Sequence, residues 1–192
     1  IAMETMKLGV KAHYVKGLLE VDVTEARAAI RRAKNEGAHI SFTGWLLKCL
    51  AYAIKDFPEL NAYRKGRNLY VFDTVNIVIL VERELKGEPV PLPYLVKDCD
   101  TKSVADISRE IAEVKTGAIG QDLVIADKQT AKLARMLAFM PGFLKGIGIR
   151  MFMRDPVRKH TRLGTINVTA VGMFGASGGW PLPIPNVHPL SV

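Results

Sequence analysis

The residues best placed for chemistry lie in segment 163–180, LGTINVTAVGMFGASGGW. Its first half has the composition of a β-strand, and strand side chains alternate between two faces. Thr165, Asn167, Thr169 and Val171 therefore share one face, and Ile166, Val168 and Ala170 share the other. Its second half is rich in glycine, which allows a backbone to approach a ligand closely. This pattern can hold a polar side chain beside a ligand, although a strand and turn without chemical role would look the same.

Length and charge limit the classes of protein that fit. A chain of 192 residues, 48% hydrophobic and 24% charged, can bury the core of one globular domain. Its net charge of +8 attracts anions such as nucleic acid, acidic lipid or a polyphosphate cofactor. No nucleic-acid-binding motif accompanies the charge, so we expect no nucleic-acid partner. The chain has neither an apolar run long enough to span a bilayer nor the apolar core of a signal peptide.

The two cysteines, Cys49 and Cys99, lie far apart and outside any Cys/His cluster, so the sequence predicts no metal site. Cys49 falls in an apolar helical pattern and is expected to be buried. Unclustered cysteines fit a reducing compartment, and we expect a cytoplasmic protein.

Helical and strand patterns alternate irregularly along the chain. Strands are expected at 17–24, 69–73, 75–82 and 89–98, and helices at 25–36, 44–57, 103–115 and 130–140. The strand at 89–98 should lie at a sheet edge or be only partly paired, because its prolines cannot donate ladder hydrogen bonds. This order favours a mixed α+β sandwich over a doubly wound parallel sheet.

Four stretches occur in the order of a known family. They are LLEVDVTEA at 18–26, the stretch 40–62 ending in FPELNA, the run 73–111, and GTINVTAVGMFG at 164–175. Together they resemble the catalytic domain of the dihydrolipoyl acyltransferases of 2-oxo acid dehydrogenase complexes, and in particular free-standing members without lipoyl arms. The resemblance implies the chloramphenicol acetyltransferase-like fold, which is an α+β two-layer sandwich with a mixed sheet and helices packed on one face. It implies one catalytic domain over 1–192.

The resemblance implies that an acyl group moves between coenzyme A, bound as acyl-CoA, and a thiol acceptor like dihydrolipoamide. In the family a histidine acts as general base on the thiol, and a Ser or Thr on the glycine-rich strand donates to the developing oxyanion. Laying VTAVG on the family pattern assigns the donor role to Thr169. The neighbouring Gly172, Met173, Phe174 and Gly175 would then contact the substrate.

The resemblance also implies partners. Family members form trimers or larger assemblies, with the active site between subunits, so we expect a homotrimer or larger homo-oligomer. A partner from a dehydrogenase complex would fit. Because the chain has no lipoyl-domain lysine motif, any lipoyl group would be carried by another chain.

The sequence departs from the family in its histidines. The family's base belongs to an HxxxDG motif, and none of His13, His39, His160 and His188 begins one. We therefore expect the chain to be truncated at its C-terminus, and we expect His188 to be a loop residue. The alternative is a non-catalytic oligomeric scaffold or acyl-CoA-binding module of the same fold.

A second departure is the long segment 117–162, where the family has a short link. It is rich in apolar residues and in lysine and arginine. We expect a helical insertion packed on the domain. The alternative is that 133–162 lie on a membrane surface as a basic amphipathic segment.

Overall fold

A computed structural model describes residues 9, 13–85, 88–117, 154–170 and 186–192, without the side chains of 83–89. The helices are α1 (Thr24–Asn35), α2 (Phe42–Asp56), α3 (Val104–Thr116) and α4 (Pro156–Leu163), with a 3₁₀ helix at Pro58–Leu60. The strands are β1 (Ala62–Lys65), β2 (Asn68–Val71), β3 (Ile77–Leu85), β4 (Glu88–Val96), β5 (Ile166–Val168) and β6 (Leu190–Ser191). No helix in this part of the chain is long and apolar enough to cross a membrane.

The fold is organised around a four-stranded mixed sheet with the strand order β4-β3-β5-β6. Strands β3 and β4 form an antiparallel hairpin, whereas β5 pairs in parallel with both β3 and β6. Proline-rich β4 lies at one edge of the described sheet, as its sequence predicts. Strands β1 and β2 form a separate antiparallel ribbon.

Helices α2 and α3 pack together and cover one face of this sheet. The core contains Ile77, Ile79 and Val81 of β3, which alternate with residues of the opposite face. The remaining members come from α2 (Leu47, Ala51, Ile54), α3 (Ile107, Ile111, Val114), β4 (Tyr94, Val96), β5 (Ile166, Val168), Val75 and Cys99. Each fully buried Leu, Ile or Val side chain stabilises the fold by about 1.5–3 kcal/mol. The predicted α+β fold with helices on one face is confirmed.

Polar contacts made by Ser41 and Lys48 fix α2 against its neighbours. Ser41 caps α2 through the amide of Gly44, and the Ser41 amide donates to Ser108 Oγ of α3 at 2.9 Å. Gly44 lies so close to α3 that a Cβ atom there would stand 2.3 Å from Ser108 Oγ. The Lys48 ammonium is buried and donates to the carbonyls of the loop before α3, at Cys99, Asp100 and Lys102. These contacts align the two helices that support the sheet.

Strand β5 is bounded by a glycine that its position requires. Gly164 has a φ of 63°, in the left-handed region, and a Cβ atom at this position would stand 2.4 Å from the Asn76 carbonyl oxygen. The backbone between α4 and β5 therefore passes directly against the residue that precedes β3. Only glycine accepts both the dihedral angle and the contact.

The predicted strand at 17–24 is wrong. Residues 17–23 have no regular structure and α1 begins at Thr24, while the side chains of Leu19 and Val21 are 87% and 71% exposed. An alternating sequence forms a strand only where a neighbouring strand supplies hydrogen bonds, and none of the residues described pairs with this segment.

Smaller predictions were also wrong. Cys49 is exposed, because it lies on the solvent side of α2, while Cys99 is the buried cysteine. Strand β1, which begins at the last residue of FPELNA, is not among the predicted strands. Helix α4 begins at Pro156, within the segment 117–162 for which a helical insertion is predicted, and the Asp155 carboxylate caps its first amides. Residues 118–153, most of the predicted insertion at 117–162, and 133–153 of the predicted membrane-contacting segment 133–162 lie outside the described residues.

Candidate active site

Thr169 directly follows β5 and is half-buried. Its backbone amide donates to the Val192 carbonyl at 2.9 Å, and its hydroxyl oxygen accepts from Asn167 Nδ2 at 3.3 Å. A hydroxyl has one donor and two acceptor positions, and an amide nitrogen can only donate. Among the described residues, the Thr169 hydroxyl proton therefore has no acceptor.

The position of Thr169 is fixed by the strand that precedes it. Ile166 and Val168 are almost completely buried in the core, and they orient Asn167 and Thr169 towards the opposite face, as the alternation predicts. Parallel pairing with β3 and β6 holds both edges of β5. The predicted grouping of polar residues on one face of this strand is confirmed.

A buried asparagine connects β5 to the FPELNA motif. The Thr165 hydroxyl donates to Asn61 Oδ1, while Asn61 Nδ2 donates to the carbonyls of Phe72 and Thr74 at 2.6 and 2.9 Å. Asn61 and Thr165 are 1% and 0% exposed, so these bonds are shielded from water. Nothing in the sequence indicates this link, because its partners lie 104 residues apart in the chain.

His160 lies in a buried polar cluster on α4. Its ring stacks on Phe72 with centroids 4.0 Å apart, and Nε2 lies 3.0 Å from Thr74 Oγ1 and 3.1 Å from Asn76 Nδ2. Because Asn76 Oδ1 accepts from the Asp98 amide, its Nδ2 must donate to His160. Nε2 is then an acceptor and the proton resides on Nδ1, which is buried without a partner in the described part of the chain. Burial lowers the pKa of His160, although the Asp98 carboxylate opposes that shift.

His188 lies in the bend that leads into β6, in agreement with its prediction as a loop residue. Its Nε2 donates to the Leu163 carbonyl at 3.0 Å, and its amide donates to Asn186 Oδ1 at 2.8 Å. Burial lowers the pKa of His188 to about 4, with a smaller contribution in the same direction from the Lys159 ammonium and an opposing one from the Leu163 hydrogen bond. A general base for a thiol works best with a pKa near the operating pH, so His188 is poorly suited to that role.

The other predicted site residues, Gly172, Met173, Phe174 and Gly175, lie outside the described residues, and their contacts with a substrate stay a prediction. His13 and His39 are exposed. Among the residues described, no three His, Cys, Asp or Glu side chains are grouped as metal ligands would be.

Solved structures of acyltransferase catalytic cores share this fold. A probable dihydrolipoamide acetyltransferase from Listeria monocytogenes superposes with a TM-score of 0.64 at 24% identity, covering 98% of this chain and 66% of that one. Dihydrolipoamide acetyltransferase from Azotobacter vinelandii superposes with a TM-score of 0.59 at 18% identity, covering 96% of this chain and 64% of that one. That crystallographic work addresses the role of a serine, a histidine and an asparagine in the enzyme's catalytic mechanism. This chain thus has the same fold as these solved structures.

The family follows from the sequence match. Residues 3–133 match the model of the 2-oxoacid dehydrogenases acyltransferase (catalytic domain), and the chain belongs to this family. One relative is the dihydrolipoyllysine-residue succinyltransferase component of the 2-oxoglutarate dehydrogenase complex of Bartonella vinsonii subsp. berkhoffii, 30% identical over 115 residues. That alignment covers 57% of this chain and 27% of the relative, so the chain spans about a quarter of its length. The predicted resemblance is confirmed, although the family match ends before β5 and Thr169.

Proposed function

We propose that this chain is part of an acyltransferase that moves an acyl group between coenzyme A and a thiol acceptor like dihydrolipoamide. The Thr169 hydroxyl would donate a hydrogen bond to the oxyanion that forms when the thiol attacks the thioester carbonyl. The observation that carries the proposal is that the hydroxyl of half-buried Thr169 accepts from Asn167, while its own proton has no acceptor among the described residues. Membership of the acyltransferase family supports the reaction class.

The reaction needs no nucleophilic side chain. A base removes the proton from the acceptor thiol, the thiolate attacks the acyl carbonyl, and the tetrahedral oxyanion collapses by expelling the coenzyme A thiolate. One well-placed donor to such an oxyanion commonly contributes two to three powers of ten in rate, about 2.7–4 kcal/mol. No metal is required, because the charge that develops is stabilised by a hydrogen bond.

The general base is not assigned to the histidines of this chain. His160 Nε2 already accepts from Asn76, and Nε2 of His188 donates to a carbonyl. Burial lowers the pKa of both rings. We infer that the base is a group other than these two rings, and an active site formed between subunits of a trimer or larger assembly would allow a neighbouring subunit to supply it.

A direct test replaces Thr169 by valine, which keeps the shape and removes the hydroxyl. The complete assembly, including the subunit or partner that supplies the base, would be assayed with acetyl-CoA and succinyl-CoA as donors and dihydrolipoamide as acceptor, with the thioester product separated and quantified. We expect Thr169→Val to lower kcat by roughly 10²–10³-fold and Thr169→Ser to retain most activity. The exposed Thr161→Val is the matched control. Equal turnover of Thr169→Val and the unmodified protein would exclude Thr169 from the mechanism.

The second candidate is an oligomeric scaffold or acyl-CoA-binding module of the same fold. The observation that favours it is that His160 and His188 are both held in structural hydrogen bonds. The two functions are separated by titrating the protein with coenzyme A in a calorimeter beside the turnover assay. Binding without transfer to dihydrolipoamide, under any donor tested, would favour the binding module.

The lipoyl group, the dehydrogenase-complex partner and a cytoplasmic location belong to the proposal as well. Sedimentation analysis tests the homo-oligomer, for which we expect a trimer or a multiple of it. A purely monomeric protein at micromolar concentration would contradict a site shared between subunits.

A further inference from the structure

We propose that Asn167 is a positioning residue that fixes the direction in which the Thr169 hydroxyl donates. The inference rests on the proposed acyl transfer and adds a second residue to that site. Asn167 lies two positions before Thr169 on the same face of β5, and both side chains are half-buried. The polar atoms that meet are Asn167 Nδ2 and Thr169 Oγ1, 3.3 Å apart.

The backbone holds both residues in place from the same side. The Val192 amide donates to the Asn167 carbonyl at 2.9 Å, and the Thr169 amide donates to the Val192 carbonyl at 2.9 Å. Neither residue can shift along the strand without breaking one of these bonds. The orientation of the hydroxyl proton is therefore left to the side chains.

An amide nitrogen can only donate, so Asn167 Nδ2 occupies an acceptor position on the Thr169 oxygen. The Thr169 proton then points away from Asn167. A hydroxyl that accepts a hydrogen bond also becomes a stronger donor, because successive hydrogen bonds polarise one another. Both effects prepare the hydroxyl for an oxyanion before the reaction begins, which is the condition under which such a donor contributes most to rate.

Two variants of Asn167 with side chains of similar size should lower kcat to different extents, Asn167→Asp more than Asn167→Leu. Asn167→Leu removes the donor, and we expect kcat to fall roughly fivefold to tenfold, the effect of one neutral hydrogen bond. Asn167→Asp replaces the donor by an acceptor that attracts the Thr169 proton and adds negative charge. Its kcat should fall roughly 10²–10³-fold, as far as in Thr169→Val. In both variants KM should change less than about threefold, because Asn167 acts through Thr169 and does not itself bind substrate.

Two controls distinguish a positioning role of Asn167 from a purely structural one. Asn35→Asp makes the same chemical change at an exposed position, at the end of α1, and should leave kcat unchanged. In the Thr169→Val background, Asn167→Asp should lower kcat by less than about twofold further, because the group it acts on is gone. Thermal denaturation of each variant shows whether the folded fraction has changed.

The result that overturns this inference is equal kcat for Asn167→Leu, Asn167→Asp and the unmodified protein while Thr169→Val is impaired. Additive losses in the double variant, which would indicate an independent or structural role, overturn it as well. If Thr169→Val keeps full activity, the proposed role of Thr169 is itself refuted. That outcome differs from the two results above, in which Thr169→Val is impaired.

Discussion

The link between Asn61 and Thr165 makes a quantitative prediction about stability. Replacing Asn61 by alanine leaves the carbonyls of Phe72 and Thr74 and the hydroxyl of Thr165 without their partner. A buried polar group without a partner costs about 1–3 kcal/mol, and some of these groups would find water. We therefore expect N61A to lower the free energy of unfolding by about 3–6 kcal/mol, which is a large share of the stability of an ordinary domain.

The same link predicts how a second variant behaves. T165V keeps the shape of the side chain and leaves only Asn61 Oδ1 without its donor, so we expect a loss of about 1–3 kcal/mol. Because the two side chains share a hydrogen bond, the losses should not add. The double variant N61A/T165V should be more stable than the sum of the single losses by about 1 kcal/mol or more.

Urea denaturation followed by circular dichroism at neutral pH measures these differences, with N35A as the control at an exposed asparagine. N35A should stay within about 0.5 kcal/mol of the unmodified protein. A loss below about 1 kcal/mol for N61A, or strict additivity in the double variant, would refute the view that this network holds β5 against the FPELNA segment.

Two further predictions concern the surroundings of β5. His188 has its pKa lowered from 6.5 to about 4 in the folded protein, so the unfolded chain binds more protons between these values. Its contribution to stability, up to about 3 kcal/mol, is present above pH 6.5 and lost as the pH falls towards 4. The free energy of unfolding, measured by denaturation between pH 4 and 7, should depend less on pH in H188Q than in the unmodified protein. An unchanged slope of this free energy against pH would contradict the lowered pKa of His188. G164A should lose more than about 2 kcal/mol in the same denaturation assay, because its Cβ meets the Asn76 carbonyl. G37A, which shares the positive φ but has nothing within 4 Å of an added Cβ, should lose only about 1 kcal/mol. Equal losses of stability in G164A and G37A would show that the contact with the Asn76 carbonyl does not affect the free energy of unfolding.

Regular elements were predictable where the local signal and the tertiary environment agree. Ser103 was expected to begin α3, and its side chain accepts from the Asp106 amide in the structure. The strand expected at 75–82 is found as β3, and most of its apolar run is buried, although Leu80 is 46% exposed. The helix start follows from capping, which depends on residues close in the sequence. The burial of the strand follows from its apolar composition.

The segment 17–23 shows the limit of a local pattern. Its alternation is that of a half-buried strand, yet Leu19 and Val21 are largely exposed and no described strand lies beside them. The alternation predicts which side chains would lie on each face of a strand. It does not state whether a hydrogen-bonding partner is present.

Residue types in linear order were sufficient to establish the family and the α+β class, and they predict Thr169 on the glycine-rich strand as the oxyanion donor. Other features became visible only in the folded chain. Asn61 holds Thr165, Asn167 donates to Thr169, and His160 and His188 are both engaged in structural hydrogen bonds. Most of these contacts join residues from distant parts of the chain, and hydrogen-bond direction depends on atoms that meet only after folding.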